Sequence, residues 1–108
     1  MATIKTERAL QEYTKKVARA HGCYYYKLEC IGQTGFPDLL ITWQGWSIFI
    51  ELKSPTGHGV LSPRQKLMLS KLTYQEMENY VTNQPSQIDQ IISGLINRKP
   101  RRLPNSLI

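Results

Sequence analysis

Apolar and polar residues follow two different rhythms along this chain, and the changes of rhythm mark its elements. Between residues 3 and 20, Leu10, Tyr13, Val17 and Ala20 recur at steps of three and four with no Gly or Pro among them, the spacing of one face of an amphipathic helix. Gly22 ends that segment. "CYYYKLEC", residues 23–30, is aromatic-rich and suits a strand, and "IGQTG" breaks the chain after it. Two extended runs follow at 37–42 and 46–52, joined through Gln44 and Gly45, where glycine supplies the positive φ of a tight hairpin turn.

After the loop "SPTGHG", the stretch "LSPRQKLMLSKLTY" predicts a second helix. Ser62 stands at its N-cap, Pro63 at its first position and Gln65 at its third, with Leu67, Leu69 and Leu72 among its apolar residues. A short strand at 79–82 and a last helix at 86–97, built on Ile88, Ile91, Ile92, Leu95 and Ile96, complete the pattern. The order α-β-β-β-α-β-α predicts an α/β sandwich: a small mixed sheet flanked by helices, its first three strands a meander. Residues 1–98 are expected to form one domain, and the basic, proline-broken tail 99–108 to be mobile and free to lie along phosphates.

Composition narrows the partners. A chain of 108 residues suits a single core. Its 14 Lys and Arg against 8 Asp and Glu leave a charge of +6, which draws polyanions and favours nucleic acid, although many small basic proteins bind nothing anionic. Lys27, Arg64 and Lys66 are the candidates for phosphate contacts. "MATIKTERALQEYTKK" holds no apolar leader segment and no later run reaches the ~18–20 apolar residues of a membrane span, so no membrane partner is expected and the expected location is the cytoplasm. Cys23 and Cys30 lie too far apart along one strand candidate for a disulfide and are expected as reduced thiols. A zinc site drawing on His21 or His58 would lack metal-finger spacing.

The hairpin poses the chemical question, because Asp38, Glu51 and Lys53 interrupt two otherwise apolar runs. Side chains alternate across a strand, so Phe49, Glu51 and Lys53 share one face and Ile48, Ile50 and Leu52 the other. Pairing about a turn at Gln44 and Gly45 sets Asp38 opposite Glu51, and a shift of one residue would spoil this. Two carboxylates ~4 Å apart repel by roughly 4 kcal/mol at an effective dielectric of 20. Lys53 offsets part of that. The cluster reads either as a surface salt bridge worth ~0–1 kcal/mol or as oxygen ligands for a hard divalent cation such as Mg²⁺ or Mn²⁺. On the first helix Glu7 falls on the stripe of Leu10, Thr14 and Val17, with Glu12 on the opposite side. An inward Glu7 needs something to satisfy it, and a metal site would do so; the other reading is an acid in the first turn that favours the helix dipole.

"GFPDLL", followed by "ELK" after the hairpin, resembles the PD-(D/E)xK nuclease superfamily, with Pro37-Asp38 and Glu51-Leu52-Lys53 as the motif. The continuation "SPTGHGVLSPRQ" and an upstream helix carrying Glu7 look like its VRR-NUC branch, the virus-type replication and repair nucleases, over residues 5–82. The resemblance implies a restriction-endonuclease-like sandwich. It also implies that Asp38 and Glu51 bind Mg²⁺ or Mn²⁺, that Glu7 completes or braces the acidic cluster, and that Lys53 positions the attacking water or stabilises transition-state charge. For Gln65 it suggests an active-site role, compatible with a capping box to Ser62. His58 is better read as a loop residue than as a general base, since nothing orients its ring.

The function so implied is a metal-dependent DNA endonuclease, acting on branched or structured DNA such as junctions or flaps in phage or bacterial replication, recombination or repair. Stand-alone members of the resembled family tend to be homodimers, which would set two sites on opposed strands. Two other classes stay open: a catalytically silent module of the same fold that holds DNA, and a structural protein whose rim charges only make salt bridges.

Overall fold

The computed structural model describes residues 3–29, 34–57 and 59–102. Its elements run α1 (Glu7–Ala20), β1 (Tyr24–Lys27), β2 (Leu39–Trp43), β3 (Trp46–Leu52), α2 (Pro63–Tyr74), β4 (Asn79–Thr82) and α3 (Pro85–Ile96), in the order expected from the sequence. The strands form one four-stranded sheet in the order β1-β2-β3-β4. The first three pair antiparallel as a meander, and β4 lies parallel to β3. Parallel neighbours need a crossover, which α2 supplies.

α1 begins later than the periodicity alone implies, because Thr6 caps it: its hydroxyl accepts from the Ala9 N–H at 3.0 Å. The buried stripe is Leu10, Thr14 and Ala18. Tyr13 and Val17 pack beside the core while Ala20 is exposed, so the stripe follows a step of four, one residue round from the expected set. Thr14 is tolerated there because its hydroxyl donates to the Leu10 carbonyl at 2.8 Å. In α2, Leu69 and Leu72 are buried but Leu67 is 56% exposed. At about 100° per residue Gln65, Leu69 and Leu72 share a face and Leu67 points away from it.

The main core lies between one face of the sheet and the pair α1 and α3. Leu39, Ile41, Ile48, Ile50 and Leu52 meet Leu10, Ala18, Ile88, Ile92 and Leu95 there. The alternate residues of β3 face the other way, toward α2, where Phe36 stacks edge-on against Phe49 at 5.5 Å between centroids. Cys23 is buried in the main core as a free thiol, which burial holds above its ordinary pKa; Cys30 and His58 lie outside the described residues.

Two turns fix the rims. Gln44 and Gly45 have φ of 44° and 87°, the double positive φ of a two-residue hairpin turn whose twist matches the strands. The register that follows pairs Leu39 with Ile50 and Ile41 with Ile48, the expected alignment, so Asp38, just before β2, meets the end of β3 that carries Glu51. The basic tail departs from expectation. Its first residues are docked, not free: the Arg101 N–H donates to the Gln44 carbonyl at 2.8 Å and Trp46 Nε1 to the Lys99 carbonyl at 2.9 Å. Arg98 and Arg101 lie over the Trp46 ring at 4.7 and 3.4 Å from its centroid. Cation–π attraction and the paired Arg98–Glu78 bridge explain why a polar, proline-broken stretch is held. Residues 103–108, the rest of that tail, lie outside the described residues.

Gly35 has a φ of +86°, and a Cβ there would stand 2.6 Å from the Arg64 carbonyl carbon and oxygen and 2.9 Å from the Gln65 nitrogen. Glycine is what lets the "GFPD" segment touch the first turn of α2. Gly35→Ala is expected to cost about 1–3 kcal/mol through strain and overpacking, read as a lowered urea midpoint; an unchanged midpoint would show that this contact is loose.

Candidate active site

Four side chains meet at the end of the sheet where β2 begins and β3 ends. Glu51 projects from β3 to the α2 side and is only 2% exposed. Gln65, at the third position of α2, donates from Nε2 to Glu51 Oε2 at 3.2 Å. Its Oε1 accepts from Lys53 Nζ at 2.9 Å and from the Ser62 N–H at 2.9 Å. The Gln65 N–H in turn donates to Ser62 Oγ at 3.1 Å. The capping box and the site contact are therefore one arrangement: the cap fixes the amide, and the amide fixes Glu51 and Lys53. Lys53 Nζ stands 3.6 Å from Glu51 Oε2, and Asp38 Oδ2 accepts from the Leu52 N–H at 3.3 Å, which ties the start of β2 to the end of β3.

The electrostatics are unbalanced. Burial above all, then the charge and hydrogen bonding of Asp38, push Glu51 from an ordinary 4.5 up to about 8; Lys53 pulls the other way and Glu7 adds a smaller push upward. Oxygen Oε1 of Glu51 is buried with no hydrogen-bond partner. Protonated, the carboxyl can donate to Asp38; ionised, it leaves an oxygen with no donor. Because the folded pKa lies above the free value, the proton stabilises the fold. That contribution is full below about 4.5 and is lost as pH rises through about 8. In chelator the protein is expected to lose up to a few kcal/mol between mildly acidic and alkaline pH, seen as a falling urea midpoint. A midpoint level across that range would mean that Glu51 titrates as an ordinary carboxyl.

Asp38 also lines a cavity of about 710 Å³ between α1 and β1. Glu7 lies on this cavity with an exposed side chain, so it is not the inward-facing carboxylate expected from the helix projection. Glu12, expected on the opposite side, lines the same cavity. The reason is that the cavity runs along the flank of α1 from Glu7 to Lys15, beside the buried stripe, and long side chains reach it from either border. Among the described residues no group of three or more His, Cys, Asp or Glu comes together as a metal-ligand set. The pair Asp38 and Glu51 does come together, and Glu7 stands off across the cavity.

The pair nevertheless fits a hard cation. It offers oxygen donors only, one of them buried and without a donor, and Mg²⁺ is commonly held by one or two carboxylates with water and phosphate oxygens completing its shell. Of the candidate phosphate contacts, Lys27 is exposed on the same cavity. Arg64 is exposed at the start of α2 and donates to Thr34 Oγ1 at 2.8 Å, and Lys66 is exposed one turn-fraction further along that helix. Arg8, Gln11, Lys15 and Tyr25, which no sequence motif singles out, also line the cavity. The i, i+3, i+7 spacing of residues 8, 11 and 15 was visible, but nothing in it told which flank faces the sheet rim.

A mixed sheet between helices, with an acidic pair and a lysine gathered at the rim by a Pro-Asp and a Glu-x-Lys segment, is the restriction-endonuclease-like architecture, a nuclease fold. Comparison with solved structures narrows it: the chain superimposes on a structure described as "VRR_NUC domain" with a TM-score of 0.73 and 27% identity, over 81% of this chain and 94% of that one. The chain has the VRR-NUC fold, that of a nuclease domain. No family model matches the sequence, and no curated protein does. Among the described residues no helix is long and apolar enough to cross a membrane.

Proposed function

We propose that this protein is a Mg²⁺- or Mn²⁺-dependent endodeoxyribonuclease that hydrolyses phosphodiester bonds in branched or structured DNA. The observation that carries the reading is Glu51: a carboxylate 2% exposed, with an orphaned oxygen, beside Asp38 and beneath Lys53 and Gln65. A soluble domain gains no stability from such a group, whereas a cation at Asp38 and Glu51 would satisfy it. When bound, the divalent ion supplies Lewis-acid stabilisation of phosphate charge and makes water more acidic.

The chain's own residues do the rest. Gln65 holds the Lys53 ammonium at 2.9 Å, so its position is set before substrate arrives, and preorganised charge of this kind favours the transition state over the ground state. Lys53 orients the attacking water and stabilises negative charge on the phosphoryl oxygens as the new P–O bond forms and the bond to the leaving oxygen breaks. Glu7 adds negative field across the cavity. On the strength of the sequence resemblance to VRR-NUC nucleases, the proposed substrates are junctions or flaps, the proposed assembly a homodimer with sites on opposed strands, and the proposed setting phage or bacterial replication, recombination or repair; the cytoplasm is the expected location from the sequence.

The test is incubation of linear duplex, flap and four-way junction DNA at matched salt with Mg²⁺, Mn²⁺ or chelator. Metal-dependent cutting that favours the branched substrates is the expected result; equal cutting of linear duplex would remove the substrate preference. One observation favours a second reading, a DNA-binding module that does not cut: no ligand group of three is assembled among the described residues. Mobility shifts without cleavage in either metal would establish that module instead.

A further inference from the structure

Resting on the nuclease reading, we infer that the cavity between α1 and β1 is a seat for a single, unpaired DNA strand running away from Asp38, gripped by Arg8, Gln11 and Lys15 from the helix and Lys27 from the strand. All four line the cavity, with Tyr25 and Asp38 completing the wall that they face. The blander alternative is a solvated helix face, but these cations come from two elements around one concavity, and that needs a reason. Among the described residues the ion pairs are Lys53–Glu51 and Arg98–Glu78. Arg8, Lys15 and Lys27 are in neither, although Glu7 and Glu12 border the same space. Most cations among the described residues are likewise outside these pairs; what sets Arg8, Lys15 and Lys27 apart is their convergence on one concavity beside Asp38, where they are poised for an anion.

Spacing and size choose that anion. Arg8 and Lys15 stand about 10 Å apart along the helix axis, a length of about three nucleotide steps of one strand at ~3.4 Å per stacked nucleotide, and of fewer when the strand is extended. A cavity of about 710 Å³ is of the size that takes small ligands, which suits one strand better than a duplex whose major groove alone is ~12 Å wide. Tyr25 suits such a seat: burial first, then Glu12 and Asp38, hold its phenol pKa above the ordinary value, so it stays a neutral donor and a flat surface for a base. The strand path thus crosses the α1 side of the sheet, away from Arg64 and Lys66 on α2.

Anisotropy of a short fluorescein-labelled oligothymidylate and of a matched duplex, titrated in chelator over a range of salt, tests this apart from catalysis. Wild type is expected to prefer the single strand. Arg8→Gln, Lys15→Gln and Lys27→Gln together are expected to flatten the log K against log[salt] slope by about 2, at ~0.7 per lost phosphate contact, and to weaken binding by about 10- to 100-fold; each alone is expected to remove about 0.7. Lys71→Gln, on the exposed side of α2, is the control with an unchanged slope, and circular dichroism verifies folding. An unchanged slope in the triple variant, tighter binding of the duplex by wild type, or no binding of either overturns the inference. Cleavage by wild type alongside an unchanged slope leaves the nuclease reading standing without it. Slope loss in a protein that never cuts keeps the inference and removes the nuclease.

Discussion

Replacing Glu51 with glutamine is expected to abolish cleavage and, in the same protein, to raise stability. Glutamine keeps the shape and keeps an acceptor for Gln65 Nε2, now 3.2 Å from Glu51 Oε2. In place of the orphaned Oε1 it offers an N–H₂ that can donate to Asp38. The desolvation and like-charge repulsion that raise Glu51 to about 8 disappear. At mildly alkaline pH, where the wild-type carboxyl is ionised, the gain is expected to be about 1–3 kcal/mol, several degrees in Tm for a domain of this size. The gain shrinks toward pH 5, where both proteins carry a neutral group. Loss of one of two ligands for the cation is expected to lower kcat by at least about 10³-fold. Thermal melts in chelator and cleavage assays in Mn²⁺ read the two effects separately. Wild-type turnover would remove Glu51 from the mechanism, and a destabilised variant would mean that Oε1 has a partner such as a bound water.

The second large effect belongs to Lys53→Met, which keeps the aliphatic stem that packs against Gly59, where a Cβ would come within 3.4 Å of the lysine Cβ and Cδ. Removing the ammonium takes away the positive charge 3.6 Å from Glu51 and the donor to Gln65. Turnover is expected to fall about 10²–10³-fold or more, the scale for loss of one preorganised electrostatic group, while DNA affinity changes little because the proposed phosphate grip lies elsewhere. The same variant is expected to make Glu51 still harder to ionise, so residual activity should shift to higher pH. A fall in affinity with unchanged kcat would recast Lys53 as a binding residue.

Much of this architecture was legible in the chain. Ser62, Pro63 and Gln65 announce the start of α2 because a helix terminus must satisfy its own first N–H groups from nearby residues, and the box they form is present. Gln44 and Gly45 announce the hairpin because few residue pairs accept two positive φ values. Once the turn was placed, the period of two fixed which residues pair, and so carried Asp38 to Glu51 across the hairpin. The errors fell where a side chain's fate depends on what lies opposite it. Leu67 looks like a core leucine until α2 is seen to cover only part of the sheet, leaving that side in solvent. The tail looks mobile until Trp46 presents a ring to Arg98 and Arg101.

By itself, then, the sequence determined the elements, their order, the hairpin register and the identity of the motif residues, because caps, turns and strand alternation are settled by neighbours within a few positions. Only the tertiary structure decided that Gln65 joins Glu51 to Lys53, that Glu51 is sealed from water with one oxygen unanswered, and that Glu7 stands across an open cavity among unpaired cations. Those properties depend on how far helices and strands distant in sequence approach one another, and packing, not local preference, sets that distance.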